Sequence, residues 1–113
     1  MASTAPAPFR YEIDKSGDDP HGNKVTKITC HGRLVTESAG EIKEVVKPLI
    51  PQGGRIILDL SDVSYLDSTG LGALVSLKAT AIKQGLCILE FVNMTPRILE
   101  LVRMTNLAQL FSS

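Results

Sequence analysis

The stretch that most constrains the fold of this chain is 55–85, where the apolar pattern changes from that of a strand to that of a helix. Four of the six residues at 55–60 are apolar, and such a run is typical of a strand covered on both faces of a sheet. From Gly70 onward the apolar residues recur at helical spacing, and Gly85 stands where helices commonly end in glycine. A second apolar run at 86–92 predicts another strand. The order strand, helix, strand predicts a parallel βαβ unit with a right-handed crossover.

Two segments before this unit predict a pair of antiparallel strands. Polar and apolar residues alternate over 9–14 and again over 26–31, as in strands with one face exposed to water. Between them, 15–23 is rich in Gly, Asp, Asn and Pro, which favour turns. We therefore expect the two strands to be joined by a polar loop.

Helical spacing predicts one helix before the βαβ unit and another after it. The first carries its apolar face over 39–49 and begins at a cap formed by Thr36 or Ser38. The second starts at Thr95-Pro96, a capping residue followed by a proline suited to a first helical turn, and a last turn is expected over 107–111. The whole pattern predicts an α/β fold with a mixed four- to five-stranded sheet and helices packed mainly on one face.

Length and charge narrow the class of protein. The chain has 113 residues, which fits one domain, and we expect that domain to span 9–113 after a disordered tail at 1–8. The 12 basic and 12 acidic side chains balance, which gives no electrostatic basis for binding nucleic acid or an anionic membrane. No apolar run approaches the roughly 18 residues that a membrane span needs. We expect a soluble, cytoplasmic protein with no nucleic-acid binding and no membrane insertion.

The two cysteines, Cys30 and Cys87, lie far apart in separate apolar segments. Their spacing fits neither a metal site nor a dense disulfide framework. We expect both to be small buried hydrophobic residues in a reducing compartment, and we expect no metal and no cofactor.

Candidate catalytic groups do not form a catalytic pattern. Asp59, Asp62 and Asp67 invite comparison with a phosphoaspartate receiver, but the first strand lacks the acidic pair that such a cation site needs, so they are interpreted as solvated loop carboxylates. A serine hydrolase lacks both the nucleophile elbow and a suitable base, since His21 and His31 fall in a turn and at a strand end. Both histidines are expected to be surface residues, and the protein is not expected to be an enzyme.

Ser68, at the start of the central helix, has two interpretations that are compatible with each other. Serine is a favoured helix N-cap, and a hydroxyl at a helix start also faces solvent, where a phosphate would meet free backbone N–H groups and the positive end of the helix dipole. Gly70 and Gly72 keep side-chain bulk away from this first turn. Close approach of a partner and close packing against the sheet explain these glycines equally well.

The same helix carries a lysine within its apolar arc. On a helical wheel Lys78 lies between one flank that includes Leu71 and Val75 and another that includes Leu74 and Leu77. Either Lys78 extends from the edge of the core to solvent, or one flank faces solvent and binds a partner.

The run 59–72, Asp-Leu-Ser-Asp-Val-Ser-Tyr-Leu-Asp-Ser-Thr-Gly-Leu-Gly, resembles the signature of STAS domains, the anti-sigma factor antagonist family of bacteria. Gly32-Arg33-Leu34, Gly85 and the stretch 95–111 resemble the same family at matching places. The resemblance covers nearly the whole chain from Phe9 and implies a STAS-like fold.

The resemblance also implies a partner and a switch. In that family the serine matching Ser68 is phosphorylated by the anti-sigma factor, a histidine-kinase-like ATPase with serine kinase activity. Only the unphosphorylated antagonist binds that partner productively and frees the sigma factor, which regulates transcription, and a metal-dependent serine phosphatase resets the cycle. With Ser68 as the phosphorylation site, the expected partner-binding residues are Asp67, Thr69, Gly70, Leu71, Gly72, Val75 and Lys78.

One position departs from the family pattern. Members commonly carry an aspartate directly after the Gly-x-Leu that precedes the first helix, and this chain has Val35 there. An alternative function therefore stays open, that of an unphosphorylated STAS scaffold or accessory protein in a stress-signalling assembly or a transporter complex.

Overall fold

The computed structural model describes residues 9–105, with every side chain in that range except that of Ser16. The described strands lie side by side in one sheet in the order β1 (Arg10–Asp18), β2 (Lys24–Leu34), β3 (Gly54–Leu66) and β4 (Cys87–Val92). β1 is antiparallel to β2, and β2, β3 and β4 are parallel. The predicted antiparallel pair and the parallel βαβ unit are confirmed. In chain order the elements are β1 (Arg10–Asp18), β2 (Lys24–Leu34), α1 (Thr36–Val46), a 3-10 helix (Lys47–Gln52), β3 (Gly54–Leu66), α2 (Ser68–Gln84), β4 (Cys87–Val92) and α3 (Pro96–Met104).

The core lies between the sheet and its helices. α1 and α2 contact each other and the parallel strands, and the strand side chains beneath them are fully buried. The other face of the sheet carries charged side chains that pair across strands, as Arg55 does with Glu90. The predicted α/β class, with a mixed sheet and helices mainly on one face, is confirmed. The expected tail at 1–8 and the last turn at 107–111 lie outside the described residues.

β3 is longer than its apolar run indicates. It continues from the buried stretch to Leu66, although the register with β2 shifts between the pairs Thr29–Asp59 and His31–Asp62. In this second half Val63 and Leu66 are buried while the residues between them are exposed, so the strand has one face open to water. In the first half Arg55 and Ile57 are only partly buried, so the expectation of a strand covered on both faces is wrong. The extension places Asp67 directly at the end of the strand.

The sequence predicted the start of α3 correctly and the start of α1 wrongly. α3 begins as expected, because Thr95 Oγ1 accepts a hydrogen bond from the backbone N–H of Ile98 at 3.3 Å. For α1 both predicted caps are wrong. Its N-cap is Val35. Ser38, three residues further on, accepts a hydrogen bond from the Val35 N–H at 2.9 Å and donates one to the Arg33 carbonyl at 2.7 Å.

Among the described helices, none is long and apolar enough to cross a membrane.

Candidate functional site

The turn between β3 and α2 is built around Asp67. Its backbone is extended, with φ −102° and ψ −179°, and its Oδ1 accepts a hydrogen bond from the backbone N–H of Gly70 at 2.8 Å. Asp67 is therefore the N-cap of α2, and the interpretation of Ser68 as the capping residue is wrong. Ser68 is instead the first residue of the helix.

Ser68 presents its side chain to solvent. The residue is exposed, and its hydroxyl makes no hydrogen bond to any residue in the described part of the chain. The neighbouring Thr69 is also exposed, and its Oγ1 lies 3.3 Å from Thr36 Oγ1. The Ser68 hydroxyl is thus accessible to an enzyme that transfers a phosphoryl group.

Gly70 and Gly72 have different structural roles, although both lie near the start of α2. A Cβ on Gly70 would lie 2.0 Å from the backbone oxygen of Leu34 at the end of β2, which is far inside contact distance. Close packing of the helix on the sheet therefore explains Gly70, which is buried. A Cβ on Gly72 would meet nothing within 4 Å, and Gly72 is exposed, so packing among the described residues does not explain it.

The exposed side of α2 is lined by small side chains. Ser68, Gly72, Ser76 and Ala79 are all exposed and follow one another at helical spacing, with the half-buried Val75 beside them. We call these five residues the α2 stripe. Sequence reasoning missed Ser76 and Ala79, because small side chains contribute little to a hydrophobic pattern. Counting in helical steps from Ser68 is the signal that would have found them.

Leu71 and Lys78 lie on the buried side of α2. The Lys78 side chain is 3% exposed, and its ammonium group donates a hydrogen bond to the backbone oxygen of Leu89 in β4. Burial lowers the pKa of Lys78 below its ordinary value, although the charge of Glu90 opposes this shift. Lys78 therefore neither extends to solvent nor lies on the exposed side, and the solvent-facing surface expected from sequence does not include Leu71, Lys78 or the buried Gly70.

Asp67 also joins α2 to α1. Its second oxygen, Oδ2, accepts hydrogen bonds from the backbone N–H of Thr36 at 3.1 Å and from Thr36 Oγ1 at 3.3 Å. Val35, the N-cap of α1, has no side-chain acceptor, so Asp67 supplies one from a distant part of the chain. The hydrogen bond from Gly70, together with those from Thr36, holds the pKa of the Asp67 carboxyl below its ordinary value.

The other two carboxylates singled out from sequence also have structural roles. Asp59 is buried and accepts hydrogen bonds from the Ser61 N–H at 2.9 Å and from Asn93 Nδ2 at 3.2 Å. Asp62 Oδ2 lies 2.5 Å from His31 Nδ1. The interpretation of these groups as solvated loop carboxylates is wrong for Asp59, which is held inside the fold. Within the described residues, no group of three or more His, Cys, Asp or Glu side chains is placed to hold a metal ion.

His31 connects three neighbouring strands. Its Nδ1 faces Asp62 on β3, and its Nε2 lies 2.7 Å from Glu12 Oε1 on β1. The hydrogen bond to Asp62, followed by that to Glu12, raises the pKa of His31 above its ordinary value. His31 is therefore an electrostatic link between strands, which the sequence expectation of a simple surface histidine did not include.

Comparison with known proteins gives a family and a fold. The family model for the STAS domain matches residues 18–113. The chain is 36% identical over 81 residues to the anti-sigma-B factor antagonist of Bacillus subtilis, an alignment that covers 72% of this chain and 73% of the relative.

Solved structures share the fold at low sequence identity. An anti-sigma factor antagonist from Mycobacterium paratuberculosis superposes with a TM-score of 0.72 at 19% identity, covering 96% of this chain and 87% of that one. The phosphorylated form of the Bacillus cell fate determinant SpoIIAA superposes with a TM-score of 0.66 at 16% identity, covering 89% and 87%.

Proposed function

The chain belongs to the STAS domain family and is related to anti-sigma factor antagonists, and we propose that it binds an anti-sigma factor until Ser68 is phosphorylated. The observation that carries the proposal is the exposed hydroxyl of Ser68 at the first turn of α2, with no hydrogen bond to another described residue. The relationship to an anti-sigma-B factor antagonist favours a regulatory protein rather than an enzyme. The proposed partner is an anti-sigma factor of the histidine-kinase-like ATPase type, which also acts as the serine kinase.

The proposed contact surface is the α2 stripe together with Thr69. Its small side chains let a partner approach the helix backbone closely, and the uncrowded position of Gly72 suits such an approach. Asp67, Gly70, Leu71 and Lys78 contribute from within the fold. They cap the helix or hold it against the sheet, so that the stripe has a fixed shape before binding.

Phosphorylation changes the charge of this surface more than its shape. A phosphate adds about −1.5 to −2 charges at Ser68, directly after the ionised Asp67. Because the Asp67 carboxylate already accepts the Gly70 N–H, the phosphate does not gain this hydrogen bond and is repelled by its neighbour. The helix dipole offsets only about 0.3 to 1 kcal/mol of that repulsion. We expect the fold to tolerate an exposed phosphate, whereas burying it against a partner without paired cations is strongly unfavourable.

The direct test is phosphorylation in vitro. The protein is incubated with ATP and each purified histidine-kinase-like anti-sigma factor of its source organism, and intact mass is measured. We expect one phosphate on the wild type and on Ser64→Ala, which removes an exposed hydroxyl of β3 outside the α2 stripe, and none on Ser68→Ala. A metal-dependent serine phosphatase should remove the phosphate. Addition of phosphate to Ser68→Ala, or to no form, contradicts the proposed switch.

Val35 favours one alternative, a STAS scaffold that binds its partner without being phosphorylated. It places a buried aliphatic side chain at the N-cap of α1, where family members commonly carry an aspartate. Under this alternative the wild type binds its partner, takes up no phosphate in the assay above, and is unaffected by Ser68→Ala.

A further inference from the structure

Two arginines flank an exposed tyrosine where the parallel strands end. The guanidinium carbon of Arg33 lies 5.2 Å from the centroid of the Tyr65 ring, and that of Arg97 lies 5.5 Å from it. Arg33 and Tyr65 are paired in register on β2 and β3, while Arg97 belongs to the first turn of α3. Tyr65 keeps 38% of its surface exposed, so the ring is accessible from solvent beside the two cations. We call these three residues the Arg–Tyr–Arg cluster.

The cluster carries positive charge that the described residues do not neutralise. Neither Arg33 nor Arg97 forms an ion pair with any carboxylate in 9–105, whereas Arg55 pairs with both Glu90 and Asp19. Glu100, one turn further along α3, lines the same shallow pocket as Arg97 without pairing with it. Stacking on an aromatic ring restrains a guanidinium plane and leaves its N–H groups available at the edge. The cluster is therefore arranged to receive carboxylates from outside.

The cluster lies at the same edge of the sheet as Ser68. Tyr65 precedes Ser68 by three residues, which is roughly 10 Å along extended chain. Arg33 is separated from the start of α1 by two residues, and Asp67 ties that start to the turn before Ser68. A partner that covers Ser68 is thus within reach of the cluster.

We propose that the Arg–Tyr–Arg cluster extends the partner surface and binds an acidic segment of the anti-sigma factor. Aspartate or glutamate side chains of that segment accept paired N–H bonds from the two guanidinium groups, while Tyr65 provides apolar contact. Tyrosine and arginine dominate the binding energy of many protein interfaces, and an arginine fork matches a carboxylate in geometry. This inference rests on the proposed function, from which it takes the identity of the partner.

Affinity measurements with matched variants test the contact. The anti-sigma factor that binds the wild type is titrated with Arg33→Gln, Arg97→Gln and the double variant, using Arg103→Gln as a control on an exposed arginine of the same helix. We expect each cluster variant to bind about tenfold more weakly and the control to bind normally. The salt dependence of binding should also be smaller in the double variant. Unchanged affinity of the double variant, with a native NMR spectrum, overturns the inference.

A second probe separates this inference from the proposed function. Poly-glutamate peptide and inorganic phosphate are titrated into the wild type, and the NMR signals of the two arginine side chains and the Tyr65 ring are followed. We expect saturable shifts with poly-glutamate that disappear in the double variant. Absence of shifts, or equal shifts with phosphate, overturns the assignment to an acidic segment. Binding of poly-glutamate by a wild type that binds no anti-sigma factor refutes the proposed function and the identity of the partner, and supports only the preference of the cluster for acidic chains.

Discussion

The carboxylate of Asp67 accepts the backbone N–H of Thr36 at 3.1 Å while its other oxygen caps α2. One side chain thus satisfies the first turns of two helices, although Asp67 and Thr36 are 31 positions apart in the chain. Because α1 has an aliphatic residue, Val35, at its own N-cap, this long-range bond replaces a local one. The turn that carries Ser68 is therefore positioned by the same residue that stabilises α1.

Removing the Asp67 carboxylate should destabilise the protein by more than removing an ordinary helix cap does. We expect Asp67→Ala to lower the free energy of unfolding by about 2 kcal/mol, since it removes a cap worth about 1 kcal/mol and a second hydrogen bond of similar size. Asp67→Asn retains an oxygen for the Gly70 N–H and should lose less. Urea denaturation of the three forms measures the difference. A loss in Asp67→Ala that is no larger than in Asp67→Asn contradicts the double role.

The two glycines of α2 should respond to alanine in opposite directions. Gly72→Ala adds a methyl group where nothing lies within 4 Å, so it should raise stability by up to about 1 kcal/mol through helix propensity. Gly70→Ala places a Cβ against the Leu34 backbone oxygen and should be severely destabilising. Thermal unfolding measures both effects. Since Gly72 belongs to the proposed partner surface, the stabilised Gly72→Ala should also bind the anti-sigma factor more weakly, and equal binding excludes Gly72 from that surface.

The sheet and the βαβ unit followed from sequence because they depend on long apolar runs whose period differs between strand and helix. The start of α3 followed equally well, since Thr95 and Pro96 favour a cap and a first turn through local chemistry alone. The helix starts at Ser38 and Ser68 were misassigned for one physical reason. Each lies within three residues of a competing position: Asp67, which accepts the Gly70 N–H, caps α2, and Val35 is the N-cap of α1.

Residues paired across distant parts of the chain were beyond sequence reasoning. Lys78 looked like a solvent-facing residue because its acceptor, the Leu89 carbonyl, is on a strand that follows the helix. The two arginines around Tyr65 come from β2 and α3, so the cluster exists only once the sheet has formed. The spacing of apolar residues in a sequence does not give the register between strands, and without that register such contacts cannot be predicted.

His31 should give the protein a pH-dependent stability in the neutral range. Its pKa is raised chiefly by Asp62 and then by Glu12, so the protonated form is favoured in the folded state. This contribution is fully present below the ordinary histidine pKa of 6.5 and is lost as the pH rises through the raised value. Arg10, paired with His31 in register on β1, opposes the shift.

The free energy of unfolding, measured by urea denaturation across this range, should therefore fall with rising pH in the wild type. His31→Gln should remove the part of this pH dependence that comes from His31. His21→Gln, in the exposed turn, should show the same fall in the free energy of unfolding as the wild type. Identical profiles for the wild type and His31→Gln contradict the proposed link.

The two free cysteines should react at very different rates. Cys30 is fully buried, as expected, and burial, assisted by the charge of Asp59, raises its pKa to about 12. Cys87 is only half-buried, which differs from the sequence expectation, and burial raises its pKa as well. Iodoacetamide should therefore label Cys87 first in the native protein and Cys30 only on unfolding. Mass spectrometry of peptides measures the order, with Cys87→Ser as the control, and labelling of Cys30 at the native rate of Cys87 would contradict it.

A permanent negative charge at Ser68 should separate binding from folding. In Ser68→Asp the carboxylate lies at the first position of α2, where the helix dipole favours an anion by about 0.3 to 1 kcal/mol, so stability should be unchanged or slightly higher despite the neighbouring Asp67. Affinity for the anti-sigma factor should fall by at least about tenfold, because the charge must be desolvated at the interface. Calorimetry measures the affinity, and thermal unfolding measures the stability.

Gln84→Glu, which adds the same charge at the far exposed end of α2, should bind normally, as should Ser68→Ala. If Ser68→Asp binds as tightly as these controls, charge at Ser68 does not control the complex.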